Sequence, residues 1–281
     1  MKKHISYFAI IGALMLLGYS SCKKGFTLQA PVHNTDGTAY LAIIDASPNF
    51  RYIFNQPDSF NVFINGIKIT GFNQASTQKF MTYGATFPST TSGFGYVAVP
   101  PGPQQIKLSL SGPTLADSVT LATFTKNFLP NQQYTFMITD SVNSSRDSSQ
   151  IFLQDVYTFP PTRGYYNLRF IDAVLNDTAG LKVDLYSYAK NAVIFSNITP
   201  GGTSAFTQVG VNLQTTDTLY VTRSLATGRP SSTPLAARTI LAKMAFGAGD
   251  QKSYTVYFRG DINITATSNV KSRQLSFYRH E

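Results

Sequence analysis

The sequence predicts an all-β protein of two tandem β-sandwich repeats. Three observations carry that prediction. The composition favours strands: 21 Phe and 16 Tyr accompany no Trp, and Glu occurs only at Glu281. Aromatic and β-branched residues suit a pleated, half-buried surface, whereas Glu suits helices. Apolar residues alternate with polar ones over short runs bounded by Gly, Pro and Asn. Beyond the first 20 or so residues no stretch carries an apolar stripe of period 3.6.

The third observation is internal repetition, the feature to seek first in a chain of this length. "YLAIIDASPN" starts at Tyr40 and "YNLRFIDAVLND" at Tyr166; both end in Ile-Asp-Ala and a polar turn, with Asp45 matching Asp172. Each is followed by an alternating strand. In the first copy Phe60, Val62 and Ile64 share a face; in the second Leu181, Val183 and Leu185 do. "LPNQQYTFMITD" and "GAGDQKSYTVYFRGD" align Tyr134 with Tyr254, and the copies close with "QIFLQD" and "RQLSFYRH". Four ordered matches indicate a tandem duplication. Seven or so short strands per copy suggest a sandwich.

Smaller signals place the turns. Asn65-Gly66 sits between apolar residues and suits a type I′ hairpin. "VPPGPQ" stops one strand and starts the next, "QIKLSLSG", with Ile106, Leu108 and Leu110 inward and Lys107 and Ser109 outward. Pro160-Pro161 marks a short, stiff join. The predicted organisation is a signal peptide at 1–21, a lipidated spacer at 22–37, a first repeat at 38–159, a Pro-rich join at 160–165 and a second repeat at 166–281.

The N-terminus reads as an address. A basic start (Lys2, Lys3), a short apolar run from about Tyr7 to Leu17, and Ser20-Ser21 before the sole cysteine, Cys22, resemble a bacterial lipoprotein signal. The apolar run is too short for a permanent membrane span. Cleavage would leave Cys22 as the lipidated first residue, although Tyr19 stands where Leu is commonest. The mature chain then has no thiol, and the lack of disulfides says nothing against export. Lys23-Lys24 follow the cysteine in place of the acidic residues associated with surface export. That points to the periplasmic face of the outer membrane.

The formal charge is +9, and loss of Lys2 and Lys3 with the signal leaves +7. The basic residues are scattered, without the basic stripe of a nucleic-acid binder, so no nucleic acid is expected. The expected partners are the membrane, through the lipid on Cys22, and an envelope polysaccharide or protein.

The matched segments resemble the tandem domain of unknown function 4397, found in bacterial envelope lipoproteins of the Bacteroidetes type. "IIDASPN", "FNVFING", "GYVAVPPGPQQIKLSL" and "NQQYTFMITD" carry the resemblance; the second copy's "DAVLND" lacks the Ser-Pro. The resemblance implies immunoglobulin/transthyretin-like β-sandwich domains and no particular activity, because such folds host many functions.

Few residues invite chemistry. Beyond the signal the histidines are His33 in the spacer and His280 beside the C-terminus, neither in a triad or metal-ligand context. No catalytic residue, cofactor or metal is expected. The alternative is an envelope glycan-processing enzyme using Asp carboxylates. Asp45 and Asp172 are its candidates, but their equivalent positions suggest that each caps a turn. Asp140, Asn143 and Asp147 lack the Gly and Glu of a calcium loop. Phe94 and Tyr96, between glycines, are candidates for stacking on a sugar, with strand alternation feeding the core as the preferred alternative. Asp followed by Ser/Thr and an aliphatic residue occurs four times, against about one expected from composition. This resembles an O-glycosylation sequon, with candidates Ser118, Ser141, Thr178 and Thr218; turn preference explains it equally well.

Overall fold

A computed structural model of the chain describes residues 37–48, 50, 59–70, 80–88, 95–110, 119–139, 150–177, 181–211, 216–225 and 233–280. Cys22, Lys23, Lys24 and His33 lie outside them, as do Phe94, Ser118, Asp140, Ser141, Asn143, Asp147 and Thr178. The described chain is all-β apart from a single 3-10 turn, Leu235–Ala237.

The first repeat contributes β1 (Ala39–Asp45), β2 (Ser59–Ile64), β3 (Ile67–Lys68), β4 (Met81–Thr82) and β5 (Thr86–Phe87). After them come β6 (Val97–Val99), β7 (Gly102–Leu110), β8 (Thr120–Phe128), β9 (Gln133–Ile138) and β10 (Ile151–Gln154). The second contributes β11 (Tyr165–Asp172), β12 (Val183–Ser187), β13 (Ala192–Ile198) and β14 (Thr207–Gly210). It ends with β15 (Asp217–Arg223), β16 (Ile240–Phe246), β17 (Ser253–Arg259) and β18 (Gln274–Arg279).

Each repeat makes two sheets. In the first, β10-β9-β1 continues into β5 and β6 along the same edge of β1, and β3-β2-β7-β8 forms the second sheet with β4 beside β2. In the second, the sheets are β14-β11-β17-β18 and β13-β12-β15-β16. The pairings are antiparallel except for β1 with β9 and β11 with β17, which are parallel. The same exception in both copies is the structural mark of the duplication. Asn65 and Gly66 have φ of 48° and 80°, as the two-residue β2–β3 hairpin requires.

Alternation along β1 and β11 explains how the repeats associate. Leu41, Ile43, Tyr134 and Phe136 point into the first core with Phe60, Val62, Ile106 and Leu108. Leu168, Phe170, Tyr254 and Val256 point into the second with Val183, Leu185, Leu219 and Val221. The opposite faces of the same strands meet each other. Ala42, Ile44, Ala46, Met137 and Ile151 pack against Ile171, Ala173, Tyr257 and Tyr278. The β1 sheet and the β11 sheet therefore lie between two neighbours, and every residue of β1 is buried. A strand buried on both faces reads as a continuous apolar run, as "YLAIID" does.

Two details differ from the sequence reading. Leu181 precedes β12 and is exposed, so only Val183 and Leu185 carry that inner face. Ser109 is buried rather than outward, beside a register shift between Leu108 and Ser109 where β7 pairs with β8.

Candidate functional site

Two places concentrate polar chemistry: the interface between the repeats, and the open end of the second sandwich. The interface is built from positions that correspond in the two copies. Gln154 pairs with Tyr134 and Arg279 with Tyr254, so the next residues, Asp155 and His280, are equivalent. Their amides confirm it, donating to the carbonyls of Gln133 and Ser253 respectively. Thr135 and Thr255 are equivalent in the same way. Arg169, opposite Thr255 on β11, stands where the first copy has Ala42.

These residues form a buried polar ring. Arg169 Nη1 lies 2.6 Å from Asp155 Oδ1, with both side chains almost fully enclosed. Its Nη2 donates to Thr135 Oγ1 at 3.3 Å and its Nε to Thr255 Oγ1 at 3.0 Å. Thr135 donates to Asp155 Oδ2 at 2.6 Å, and the Tyr96 hydroxyl donates to the same oxygen at 2.9 Å. Thr255 Oγ1 lies 2.7 Å from His280 Nε2, and Tyr96 Oη lies 2.5 Å from His280 Nδ1.

The donors settle the histidine tautomer. Tyr96 has one proton and gives it to Asp155, so its oxygen must accept from His280 Nδ1–H. His280 Nε2 then accepts the Thr255 proton, whose oxygen receives Arg169 Nε–H. A neutral imidazole satisfies each of these links, and His280 is fully buried. Burial pushes its pKa down to about 3; Asp155 opposes that shift and Arg169 adds to it. Phe206 lies under the Arg169 guanidinium at 4.6 Å, and Tyr157 packs against the imidazole. Burial, with the Asp155 charge next, raises the Tyr96 hydroxyl well above its usual range. Tyr96 thus belongs to the interface rather than to an exposed stacking platform.

Asp45 and Asp172 sit at the end of β1 and β11, both fully buried. Ser47 N–H donates to Asp45 Oδ1 at 3.1 Å and Val174 N–H to Asp172 Oδ1 at 3.0 Å. Each carboxylate closes a turn two residues on, the role that matching positions in two copies suggest. Burial raises Asp172 to about 7, with the charges of Asp177 and Arg223 acting in opposite senses. Other carboxylates are also engaged. Asp177 pairs with Arg223. Asp184 pairs with Arg238 at 2.9 Å, and its Oδ1 accepts from Asn197 N–H and the Ser224 hydroxyl. No group of three potential metal ligands occurs among the described residues.

The second place is a cleft of about 220 Å³ at the end of the second sandwich. Tyr166 comes from the inner face of one sheet, Asp217 and Phe246 from the other. Ala189 and Lys190 on the β12–β13 turn and Val211 after β14 complete its rim. The Asp217 carboxylate is held by the Ser187 hydroxyl and by Ala189 N–H at 2.9 Å. Thr218 beside it is half-buried in β15 and paired with Ala245, where a glycan needs an exposed loop. Tyr166 packs edge-on against Tyr254, with Phe246 at 5.9 Å.

The repeat pattern marks the strands that carry Asp155, Arg169 and His280 but gives those residues no role. A lone Arg inside the apolar run "YNLRFIDA" was the available signal, because a buried guanidinium demands a partner. No family model matches this chain, and no curated protein matches it.

Proposed function

We propose that this is a lipid-anchored, non-enzymatic cell-envelope protein of the tandem type it resembles. Its two immunoglobulin/transthyretin-like modules bind or present an envelope polysaccharide or protein partner. The supporting observation is how the acidic side chains are used. Asp45, Asp155, Asp172, Asp177 and Asp184 are buried and committed to turns, ion pairs and internal hydrogen bonds. That is the economy of a rigid scaffold. A hydrolytic carboxylate pair needs open access to substrate and water between or beside its members.

The anchor reading rests on Cys22 and its flanks, and the periplasmic face on Lys23-Lys24. Metabolic labelling with an alkynyl fatty acid tests the anchor. The wild-type chain is expected to take up label and Cys22→Ala to take up none, while the far-ultraviolet circular dichroism of both keeps the same β signature. Label retained by Cys22→Ala would refute the anchor. Protease treatment of intact cells tests the face: digestion before lysis would place the modules on the surface.

A further inference from the structure

The duplication supplies its own comparison for the cleft. Phe128 and Phe246 are equivalent, each edge-on to its repeat's matching tyrosine: Phe128–Tyr134 at 5.1 Å and Phe246–Tyr254 at 5.2 Å. Asp217 opposite Phe246 corresponds to Gly102 opposite Phe128. By the parallel pairings, Tyr166 corresponds to Ala39. The shared framework is aromatic, and the two polar groups inside it occur only in the second copy.

Both groups line the cleft. Tyr166 is 3% exposed, yet its hydroxyl has no hydrogen-bond partner among the described residues. Burial, followed by the nearby Asp217 charge, raises its pKa. The hydroxyl faces the cleft, where a ligand hydroxyl can take the place of solvent. The Asp217 carboxylate is locked in place by two donors and retains accepting capacity. The Lys190 ammonium, on the rim, makes no ion pair among the described residues. Phe246, Val211 and Ala248 supply apolar wall.

We propose that this cleft binds one sugar ring of a neutral oligosaccharide. The proposal rests on the reading of the protein as an envelope binding module and names the ligand class of that module. With one carboxylate and one ammonium the cleft lining carries no net charge, which suits a neutral ligand. A neutral polyol offers both donors and acceptors to Asp217, Lys190 and Tyr166. Tyr188 immediately precedes Ala189 and Lys190, is 64% exposed, and lies 6.4 Å from Tyr220. It offers a stacking surface for the next ring of a chain, which a free amino acid would leave unused.

The test is nuclear magnetic resonance titration of the full-length, detergent-solubilised protein with maltotriose, cellotriose, mannotriose and triacetylchitotriose. Glycyl-tyrosine serves as a zwitterionic competitor. At least one trisaccharide is expected to shift Tyr166 and Phe246 resonances. Tyr166→Phe, which removes only the hydroxyl, should weaken that binding roughly threefold to tenfold. Tyr188→Ala should weaken the trisaccharide while leaving its monosaccharide unchanged. The cleft proposal is overturned if no trisaccharide binds, if glycyl-tyrosine binds there instead, or if Tyr166→Phe has no effect. Capture of whole envelope polysaccharide with an affinity that Tyr166→Phe leaves unchanged would overturn the cleft while sparing the binding-module reading. Loss of both that capture and Cys22 lipidation would overturn the module reading itself.

Discussion

Arg169→Met is expected to destabilise the protein by about 3–5 kcal/mol, because it strands the Asp155 carboxylate in the interface without its counter-charge. In a unit of this size that lowers Tm by on the order of 10 °C. The side chain lost is buried and its replacement is of similar bulk, so cavity formation contributes little. The cost comes from an uncompensated charge and from the Thr135 and Thr255 hydroxyls, which lose their guanidinium donors. The double variant Arg169→Met/Asp155→Leu separates these effects. Replacing both members of a buried ion pair with apolar groups is often neutral or better. Here it should recover part of the loss, with the remainder due to Tyr96 and Thr135, whose protons Asp155 accepts. Urea denaturation checks both variants. An Arg169→Met protein within 1 kcal/mol of wild type would mean that water reaches the pair and that the interface is looser than its geometry implies.

The same residues show what the sequence could and could not convey. Asp45 with Asp172 and Tyr134 with Tyr254 were legible because both members of each pair kept the same identity and the same job within their own repeat. Asp155 and His280 were opaque for the opposite reason. They occupy one structural position but have diverged into an acceptor and a base that serve each other across the interface. A repeat match looks for likeness, and this pair works through unlikeness. The face-to-face contact of the inner sheets was half visible: "AYLAIID" has small or apolar residues on both faces, which signals burial on both sides. What lies on the second face, whether another sheet of the same chain or another molecule, depends on contacts more than 100 residues apart. No local pattern specifies those. The cleft was hidden similarly. Tyr166, Lys190 and Asp217 each look ordinary in sequence, and they meet only because the start of β11, the β12–β13 turn and the start of β15 converge at one end of the second sandwich.

Two buried groups titrate in opposite directions, and this yields the second large effect. His280 faces Asp155, Arg169, Tyr96, Tyr157 and Tyr278, and is held to about 3 in the fold against an ordinary value of 6.5. Between those values the unfolded chain binds a proton that the folded chain refuses. Stability from this site is therefore complete above about pH 6.5 and falls on acidification, by up to about 1.4 kcal/mol per pH unit. Asp172 faces Val174 N–H, Asp177 and Arg223, and is raised to about 7 against 3.8. Between those values the folded chain holds the proton and the unfolded chain does not, so stability from this site falls as pH rises, with the same limiting slope. Across roughly pH 4–6.5 the two slopes cancel, and the wild-type protein hides both. Asp172→Asn fixes the neutral form and uncovers His280: stability relative to wild type should drop by about 2 kcal/mol between pH 6.5 and pH 5. His280→Gln uncovers Asp172, and relative stability should rise over the same interval. The double variant should parallel wild type. Urea midpoints of the four proteins at matched pH values measure the differences directly, with every other titrating group held in common. Parallel curves for wild type and Asp172→Asn would mean that Asp172 titrates in the folded state as it does in the unfolded chain. The burial of both carboxylate and imidazole argues against that outcome.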